Sequence, residues 1–317
     1  MTLVFGTAPD SWGVWFPNDD RQPPWHRFLD ESAAAGYVLI ELGPYGYLPT
    51  DPEILTEELQ ARGLAVVAGT AVARLDDAES RDETTAMIDE VARLVSAVGG
   101  RFLVLLQDAY RDPDGTIKGS RELGARAWGD LVQSLEHAGR LVRDGYGLSL
   151  VFHPHADTPV ETPTQVDRLL EDTDPALVSL CLDTGHYEWC GGDTVDIFER
   201  YAERIPYLHL KSIQPDIVAR VRSEDLPFAE AVTLGGVCEP DVGGVDFPAL
   251  AAAMARIGYR GAAVVEQDMY PLESLAAPLP IASRTRRYFE TLGWTTNVDE
   301  LAAGAGHLSR APREEFT

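Results

Sequence analysis

Four short segments of the sequence place metal-binding side chains directly after an apolar run. Four of the seven histidines fall between His153 and His209. Imidazole and carboxylate groups bind transition metals in proteins, and the same groups transfer protons near neutral pH. Because a structural histidine can occur anywhere, this concentration indicates a functional site. The segments are LVFHPHADTPVE at 150–161, LCLDTGH at 180–186, LHLK at 208–211 and VVEQD at 264–268.

The apolar runs before these segments belong to a pattern that repeats eight times along the chain. Runs that are apolar at successive positions are typical of strands covered on both faces, as in parallel sheets. Eight β/α units predict a (β/α)8 TIM barrel, and no GxGxxG motif follows the first strand to favour an open, doubly wound sheet. The predicted strands are 4–8, 38–42, 65–69, 102–107, 148–153, 178–183, 207–210 and 262–267.

Segments with helical spacing of apolar residues separate these strands. Several begin with side chains that can accept hydrogen bonds from free backbone N–H groups, as at 50–52, 162–163 and Asp246. The α/β alternation therefore extends over nearly the whole chain. The predicted helices are 25–35, 52–62, 83–98, 126–142, 164–170, 195–201, 247–257 and 281–292.

The chain length agrees with one domain, since α/β barrels of about this size commonly form a single unit. We expect the barrel to comprise residues 1–296 of the 317. The remaining residues, 297–317, read as a C-terminal extension with a short polar helix and a charged, proline-containing end.

Composition excludes several classes of function. The net charge of −25 argues against nucleic acid as a partner, because phosphate binding depends on Lys and Arg. No apolar run approaches the ~20 residues that cross a bilayer. The start, MTLVFGTAPDSWG, lacks the basic and apolar regions of a signal peptide, so we expect a cytoplasmic protein. Its three cysteines form no disulfide framework and are expected to be reduced thiols.

In a TIM barrel, the functional residues lie at the carboxyl ends of the strands. Carboxylates buried there are costly unless a partner, a proton or a cation compensates them, and a divalent metal would do so. Three of the candidate residues also have a structural explanation: Asp183 could cap a helix, His209 could be a core residue, and Glu266 could pair with Arg260. The rule that function lies at the strand ends selects Asp10, Ser11, Trp12, Glu41, Gln107, Asp108, His153, His155, Glu161, Asp183, His186, His209, Lys211, Glu266, Gln267 and Asp268.

Four motifs resemble the xylose-isomerase-like TIM barrels, a family that includes sugar phosphate isomerases and epimerases, inosose dehydratases and the metal-dependent endonuclease IV. The motifs are LCLDTGH, YLHLK, GGVDFPAL and VVEQD, and the resemblance covers about residues 3–292. In that family a divalent metal is held by Glu, Asp, His and Glu at the ends of strands five to eight. The resemblance therefore implies Asp183, His209 and Glu266 as three of the ligands.

The sequence departs from the family pattern at the first ligand. Many members have a Glu at the end of strand five, where this chain has His153. Glu161, in HADTPVET, is similar to the substitute of the inosose-dehydratase-like branch and is our prediction for the fourth ligand. Direct ligation by His153 is the alternative. The endonuclease activity is disfavoured, because it needs additional His and Asp ligands and a surface that attracts DNA.

Three oxygen ligands and one imidazole favour Mn²⁺, with Mg²⁺, Co²⁺ and Zn²⁺ as alternatives. Such an ion can bind the carbonyl and adjacent hydroxyl of a keto-sugar and stabilise the enediolate formed when an α-proton leaves. For the general base we predict His155 first, then His153 or Glu41. The predicted sugar contacts are His186, Lys211, Trp12, Gln107 and Gln267, although Trp12 can equally be a packing residue.

The segment VVEQDM at the end of the last predicted strand and the His-Pro-His segment make the chain more similar to inosose dehydratase than to xylose isomerase. We therefore expect elimination from a small keto-sugar or keto-polyol. Alternatives are a sugar isomerase or epimerase and the barrel subunit of a C-glycoside deglycosidase, which acts with a small β-rich partner. A non-catalytic sugar-binding barrel is a further alternative of another class. The sequence leaves open whether the chain forms a homo-oligomer.

Overall fold

Each of the eight apolar runs forms a parallel strand in the computed structural model, which describes residues 3–299. The strands close into a barrel whose last strand pairs with the first, and the predicted TIM barrel is confirmed. A separate antiparallel ribbon is made by two short strands, β8 and β9. In chain order the strands are Val4–Thr7 (β1), Leu39–Pro44 (β2), Ala65–Ala73 (β3), Phe102–Gln107 (β4), Ser149–Phe152 (β5), Val178–Asp183 (β6), Tyr207–Leu210 (β7), Ser212–Ile213 (β8), Val237–Cys238 (β9) and Ala262–Val265 (β10).

Helices connect successive strands and cover the outside of the barrel. The capping side chains expected from the sequence are in place: Asp51 accepts from two backbone N–H groups, Thr162 forms a capping box with Gln165, and Asp246 accepts from the N–H of Ala249. The helices are Trp25–Ala35 (α1), Pro52–Gln60 (α2), Arg81–Ala97 (α3), Ala125–Tyr146 (α4), Pro163–Asp172 (α5), Thr184–Trp189 (α6), Thr194–Tyr201 (α7), Pro215–Ser223 (α8), Phe228–Thr233 (α9), Phe247–Ile257 (α10) and Pro278–Thr291 (α11).

Apolar side chains fill the lower part of the barrel interior and form what we call the floor layer. Because strand side chains alternate in direction, the residue two positions later on each strand also points inward, one layer higher. That higher layer carries the polar groups described below. The floor layer includes Val4, Leu39, Ala68, Val104, Val151, Cys181, Tyr207 and Val264, all buried.

The connection between β7 and β10 contains, besides the predicted helix α10, an insertion that the sequence did not predict. The insertion consists of α8, α9 and the β8–β9 ribbon, which pack around a small apolar cluster together with residues of the neighbouring loops. Several hydrogen bonds join the insertion to these loops. Arg111 donates to the backbone and carboxylate of Asp225 at 3.0 and 2.9 Å, and the N–H of Phe228 donates to Asp157 at 2.7 Å. The insertion is thereby held over one side of the barrel opening.

The C-terminal segment returns to the bottom of the barrel. Thr295 forms a parallel bridge with Val4, and Val298 packs against the floor layer. The division at 296/297 therefore stays a prediction, and residues 300–317 of the predicted extension lie outside the described part of the chain. Among the helices of residues 3–299, none has the length and apolar character needed to cross a bilayer.

Candidate metal and active site

Four buried side chains converge directly above the floor layer at the carboxyl ends of consecutive strands. Asp183 ends β6 and pairs in register with His209 of β7, while His153 and Glu266 directly follow β5 and β10. Each offers one ligand atom, and these atoms all lie within 4.8 Å of one another. Parallel strands in register end at the same edge, so sequence positions more than a hundred residues apart form one cluster.

Backbone carbonyl groups fix the tautomers of the two histidines after β5. The ring Nδ1 of His153 lies 2.8 Å from the carbonyl oxygen of Pro154, and Nδ1 of His155 lies 2.7 Å from that of Ala156. A carbonyl oxygen can only accept, so in each ring Nδ1 carries the hydrogen and Nε2 keeps its lone pair. The Nε2 of His153 faces Asp183 at 3.7 Å. It is thus oriented as a ligand.

Asp183 uses its two oxygens differently. Oδ1 accepts from the N–H of His186 at 2.8 Å and caps α6, as the structural explanation of the sequence anticipated. Oδ2 faces the cluster, 3.0 Å from Nζ of Lys211, and Nδ1 of His209 faces the cluster 3.0 Å from Glu266. Carboxylate oxygens and imidazole nitrogens that converge in this way form a donor set that fits a divalent cation.

Lys211 is the positive charge embedded in this acidic group. Its Nζ lies 3.0 Å from Asp183, 3.3 Å from Glu266 and 2.9 Å from Asp268. Burial alone lowers the pKa of Lys211, but these carboxylates outweigh it and raise the pKa well above its ordinary value. Lys211 is therefore a permanent ammonium at the site. The carboxylates around it still outnumber the cations, and this favours binding of a metal ion.

His209 lies between two carboxylates. Its Nε2 is 3.1 Å from Glu41, and its Nδ1 is 3.0 Å from Glu266. Burial disfavours the imidazolium, but the surrounding acidic groups, including Cys181, Glu266 and Glu41, raise the pKa of His209 well above its ordinary value. A divalent cation would take the place of the proton on Nδ1, since ligation requires the neutral ring.

Glu161, the fourth ligand predicted from the sequence, lies in a different environment. It is outside the four-residue cluster found within the described chain. Its carboxylate accepts from Arg121 at 2.7 Å and from the N–H of Asp157 at 3.0 Å. Both oxygens are thus engaged by donors of the neighbouring loops. The residue that occupies the fourth place of the cluster is His153, the alternative left open by the sequence.

His155, the first choice for the base, faces the cavity, which His153 also lines. Burial lowers its pKa below the ordinary value, as does the charge of Lys211, so the ring is neutral near pH 7. His186 stacks behind it with ring centroids 3.7 Å apart and accepts from the N–H of Ala156 at 3.3 Å. His186 was predicted to contact sugar, but it does not line the cavity formed by the described residues.

The other predicted contact residues differ in their placement. Gln107 lines the cavity, with its amide held by Leu75 and Asp76. Gln267 is buried and lies outside the cavity lining of the described chain. Trp12 is fully buried in the core and donates to Glu31 at 2.9 Å, so its packing explanation holds.

A cavity of about 600 Å³ opens above the cluster, and its two sides differ in chemistry. The side formed by the ends and loops of β5, β7 and β10 is polar. The opposite side, from the loops and ends of β1 to β4, is largely apolar. Phe16, Tyr45 and Val72 are 38%, 36% and 53% exposed there, which leaves apolar surface for a ligand to cover. Trp15 and Leu106 complete the apolar side, and Phe228 of the insertion adds an aromatic ring beside His155 on the other side.

The strand-end rule selected Asp268 and Asp10 from the sequence but assigned them no specific role, and Phe228 was not selected. Asp268 accepts from the indole of Trp15 at 2.7 Å and contacts Lys211, so it positions both. The signal available in the sequence for this role was the position of Asp268, two residues after Glu266. Asp10 also lines the cavity, and burial together with Glu266 and Asp268 raises its pKa well above the ordinary value. Phe228 gave no signal, because it lies in the unpredicted insertion.

A closed (β/α)8 barrel with a buried His-Asp-His-Glu cluster at its carboxyl end defines a class of proteins: TIM barrels whose strand-end residues could hold a metal ion. Residues 29–295 match the model of the family described as xylose isomerase-like TIM barrel. The chain belongs to this family, and the resemblance inferred from its motifs is confirmed.

Among the curated relatives is inosose dehydratase of Geobacillus kaustophilus, 32% identical over 299 residues that cover 90% of this chain and 94% of the relative. Two solved structures share the fold. One is a probable 3-DHS dehydratase, AsbF, of Bacillus anthracis, with a TM-score of 0.67 and 13% identity over 92% of this chain and 99% of the other. The other is the IOLI protein with a bound zinc atom, with a TM-score of 0.66 and 17% identity over 96% and 99% of the two chains.

Proposed function

We propose that the protein is a metal-dependent lyase that dehydrates a small keto-polyol, in the manner of inosose dehydratase. The observation that carries the proposal is the buried cluster of His153, Asp183, His209 and Glu266, with the neutral ring of His155 facing the same cavity. Its curated relatives named inosose dehydratase support the choice of substrate.

A divalent cation at this cluster would polarise the substrate ketone and stabilise the enediolate that forms next to it. His155 accepts the α-proton at Nε2, because Nδ1 is engaged with a carbonyl group. When the β-hydroxyl leaves, protonated His155 can return the proton, so that water is the product. Lys211 remains charged and holds an oxygen of the substrate. Of the other bases considered, His153 points to the cluster, and the oxygens of Glu41 accept hydrogen bonds.

We propose Mn²⁺ as the ion. With His153 in the cluster, two imidazoles and two carboxylates form the donor set instead of one imidazole and three carboxylates. This change makes Co²⁺ and Zn²⁺ stronger alternatives and Mg²⁺ a weaker one, because imidazole favours the softer ions.

The apolar side of the cavity favours a second candidate function. A polyol with a hydroxyl on nearly every carbon leaves exposed apolar surface at Phe16, Tyr45 and Val72 in contact with water. A 3-keto-glycoside with an apolar aglycone would cover it. The same proton abstraction would then expel the aglycone, as in the C-glycoside deglycosidases. If the protein required a small β-rich partner chain for activity, this result would support the second candidate.

Deuterium incorporation tests the proposal directly. The metal-loaded enzyme is incubated in D₂O with inosose and, separately, with a 3-keto-glycoside, and the substrates are analysed by mass spectrometry and NMR. We expect α-deuteration and loss of water from inosose, both absent in His155→Asn with its metal retained. Epimerised or isomerised product would indicate the isomerase alternative. Metal-independent binding without exchange for any keto-sugar would indicate a sugar-binding barrel and refute the proposal.

A further inference from the structure

Glu41 is a buried carboxylate that lies beside the four-residue cluster, in the same inward-facing layer. It is 1% exposed and belongs to the inward-facing layer above Leu39 of the floor. Thr70 donates a hydrogen bond to Oε1, and the hydroxyl group of Tyr207 donates one to Oε2 at 2.7 Å. The ring Nε2 of His209 lies 3.1 Å from the same Oε2. Three donors from two other strands, β3 and β7, therefore surround the carboxylate.

These contacts make Glu41 a poor candidate for the base that removes a substrate proton. Among the described residues that line the cavity, Thr70 and His209 are present and Glu41 is not. A substrate carbon could reach its oxygens only after these donors had moved. The hydroxyl groups of Thr70 and Tyr207 donate to different oxygens of Glu41, which is the arrangement of a carboxylate that accepts at both oxygens.

The contact with Glu41 determines how His209 presents its two nitrogens. An ionised carboxylate can only accept, so the ring nitrogen facing it, Nε2, carries the hydrogen. The other nitrogen, Nδ1, is 3.0 Å from Glu266 and 3.9 Å from Asp183, within the cluster. When the ring is neutral, its lone pair lies on Nδ1 and points at the metal position. A carboxylate behind a ligating histidine is a common device for fixing tautomer and orientation.

We propose that Glu41 is a positioning residue for metal binding, which holds His209 with Nδ1 directed to the ion. The inference rests on the proposed metal-dependent function and assigns Glu41 a role different from the catalytic one predicted from the sequence. We therefore expect Glu41 to control the affinity of the protein for the metal, measured without substrate.

Titration of metal-free protein with Mn²⁺, followed by calorimetry, tests the inference. We expect Glu41→Gln, which keeps an accepting oxygen but loses the charge, to weaken Mn²⁺ binding about 10-fold, and Glu41→Ala to weaken it by up to about 100-fold. The matched control is Tyr207→Phe, which removes one donor from Glu41 and leaves its contact with His209. This control should bind Mn²⁺ nearly as tightly as the wild type, and thermal unfolding checks that each variant is folded.

A measurement on the wild-type protein keeps the test independent of mutant folding. In ¹⁵N-histidine-labelled protein loaded with Zn²⁺, long-range ¹H–¹⁵N spectra should show His209 with a hydrogen on Nε2 and the metal on Nδ1. The opposite arrangement would overturn the inference. So would wild-type Mn²⁺ affinity in both Glu41 variants, and if these variants also lost deuterium exchange, Glu41 would be the base. Failure of the wild-type protein to bind any metal would instead refute the proposed function.

Discussion

The choice of the first ligand depends on two residues eight positions apart, His153 and Glu161. The family resemblance indicated Glu161, because a carboxylate is usual at that place. In the structure, Glu161 is neutralised by Arg121, whereas His153 has a free Nε2 directed at Asp183. A sequence pattern gives the residue type that relatives use, but it contains no information about the arginine from a distant loop that binds the same carboxylate.

Separate substitutions of His153 and Glu161 distinguish the two possible ligand sets. We expect His153→Ala to bind Mn²⁺ more than about 100-fold more weakly, since losing a partner that only orients a ligand already costs about 10–100-fold. Glu161→Gln should bind Mn²⁺ as the wild type does. Calorimetry and metal analysis of the purified proteins measure both effects. The reverse result, with metal retained in His153→Ala and lost in Glu161→Gln, would restore the ligand set predicted from the sequence.

At the scale of elements, the layers of the barrel explain why so much of the site was predictable. Each apolar run identified a strand, and the polar residue at its end is the next inward position above the floor layer, as with Cys181 and Asp183 or Tyr207 and His209. Period two and the parallel register then determine that these residues meet. Two features could not be predicted, because they lie outside this repeat. The α8–α9 insertion has no counterpart in the eightfold pattern. In the segment after β1, the sequence did not show that Trp12 is a core residue whereas Trp15 lines the cavity.

The contact between Arg111 and Asp225 makes the insertion testable. Arg111 is 8% exposed, lines the cavity, and joins the loop after β4 to the turn between α8 and α9. We expect Arg111→Ala to raise KM for the substrate several-fold with a smaller effect on kcat, because the cavity wall loosens while the cluster stays intact. The matched control is Arg220→Ala, on the exposed side of α8, whose ion pair within residues 3–299 is with Glu224 one turn away.

Steady-state kinetics with the two variants measure this effect. An equal loss of kcat in Arg111→Ala, with KM unchanged, would mean that Arg111 acts on the reacting groups and not on the cavity wall. Equal changes in both arginine variants would mean that the integrity of α8 is what matters.

At the scale of the whole molecule, the proposed metal site would couple function to stability. The four proposed ligand residues are buried, and they come from four strands that only the folded barrel brings together. An ion that binds the folded chain and not the unfolded chain stabilises it by about 2.7 kcal/mol at 100 times its dissociation constant. The barrel without metal must instead bury an excess of carboxylates, which is costly.

Thermal unfolding with and without metal tests this coupling. We expect Mn²⁺ in excess to raise Tm by several degrees, and a chelator to lower Tm of the purified protein to the metal-free value. In Asp183→Ala the same addition of Mn²⁺ should leave Tm unchanged. An equal rise in both proteins would assign the effect to general binding of cations by this acidic chain.

The parallel bridge at the bottom of the barrel has a consequence for protein engineering. The N–H of Phe5 donates to the carbonyl oxygen of Thr295, and the N–H of Thr295 donates to that of Leu3, so the first and last described segments run side by side. They lie at the end of the barrel opposite the cluster. Neighbouring segments at the two ends of the described barrel suit circular permutation. A gene that joins these segments by a short linker and opens the chain in an exposed loop should therefore encode the same barrel, with new termini placed where a fusion partner is wanted.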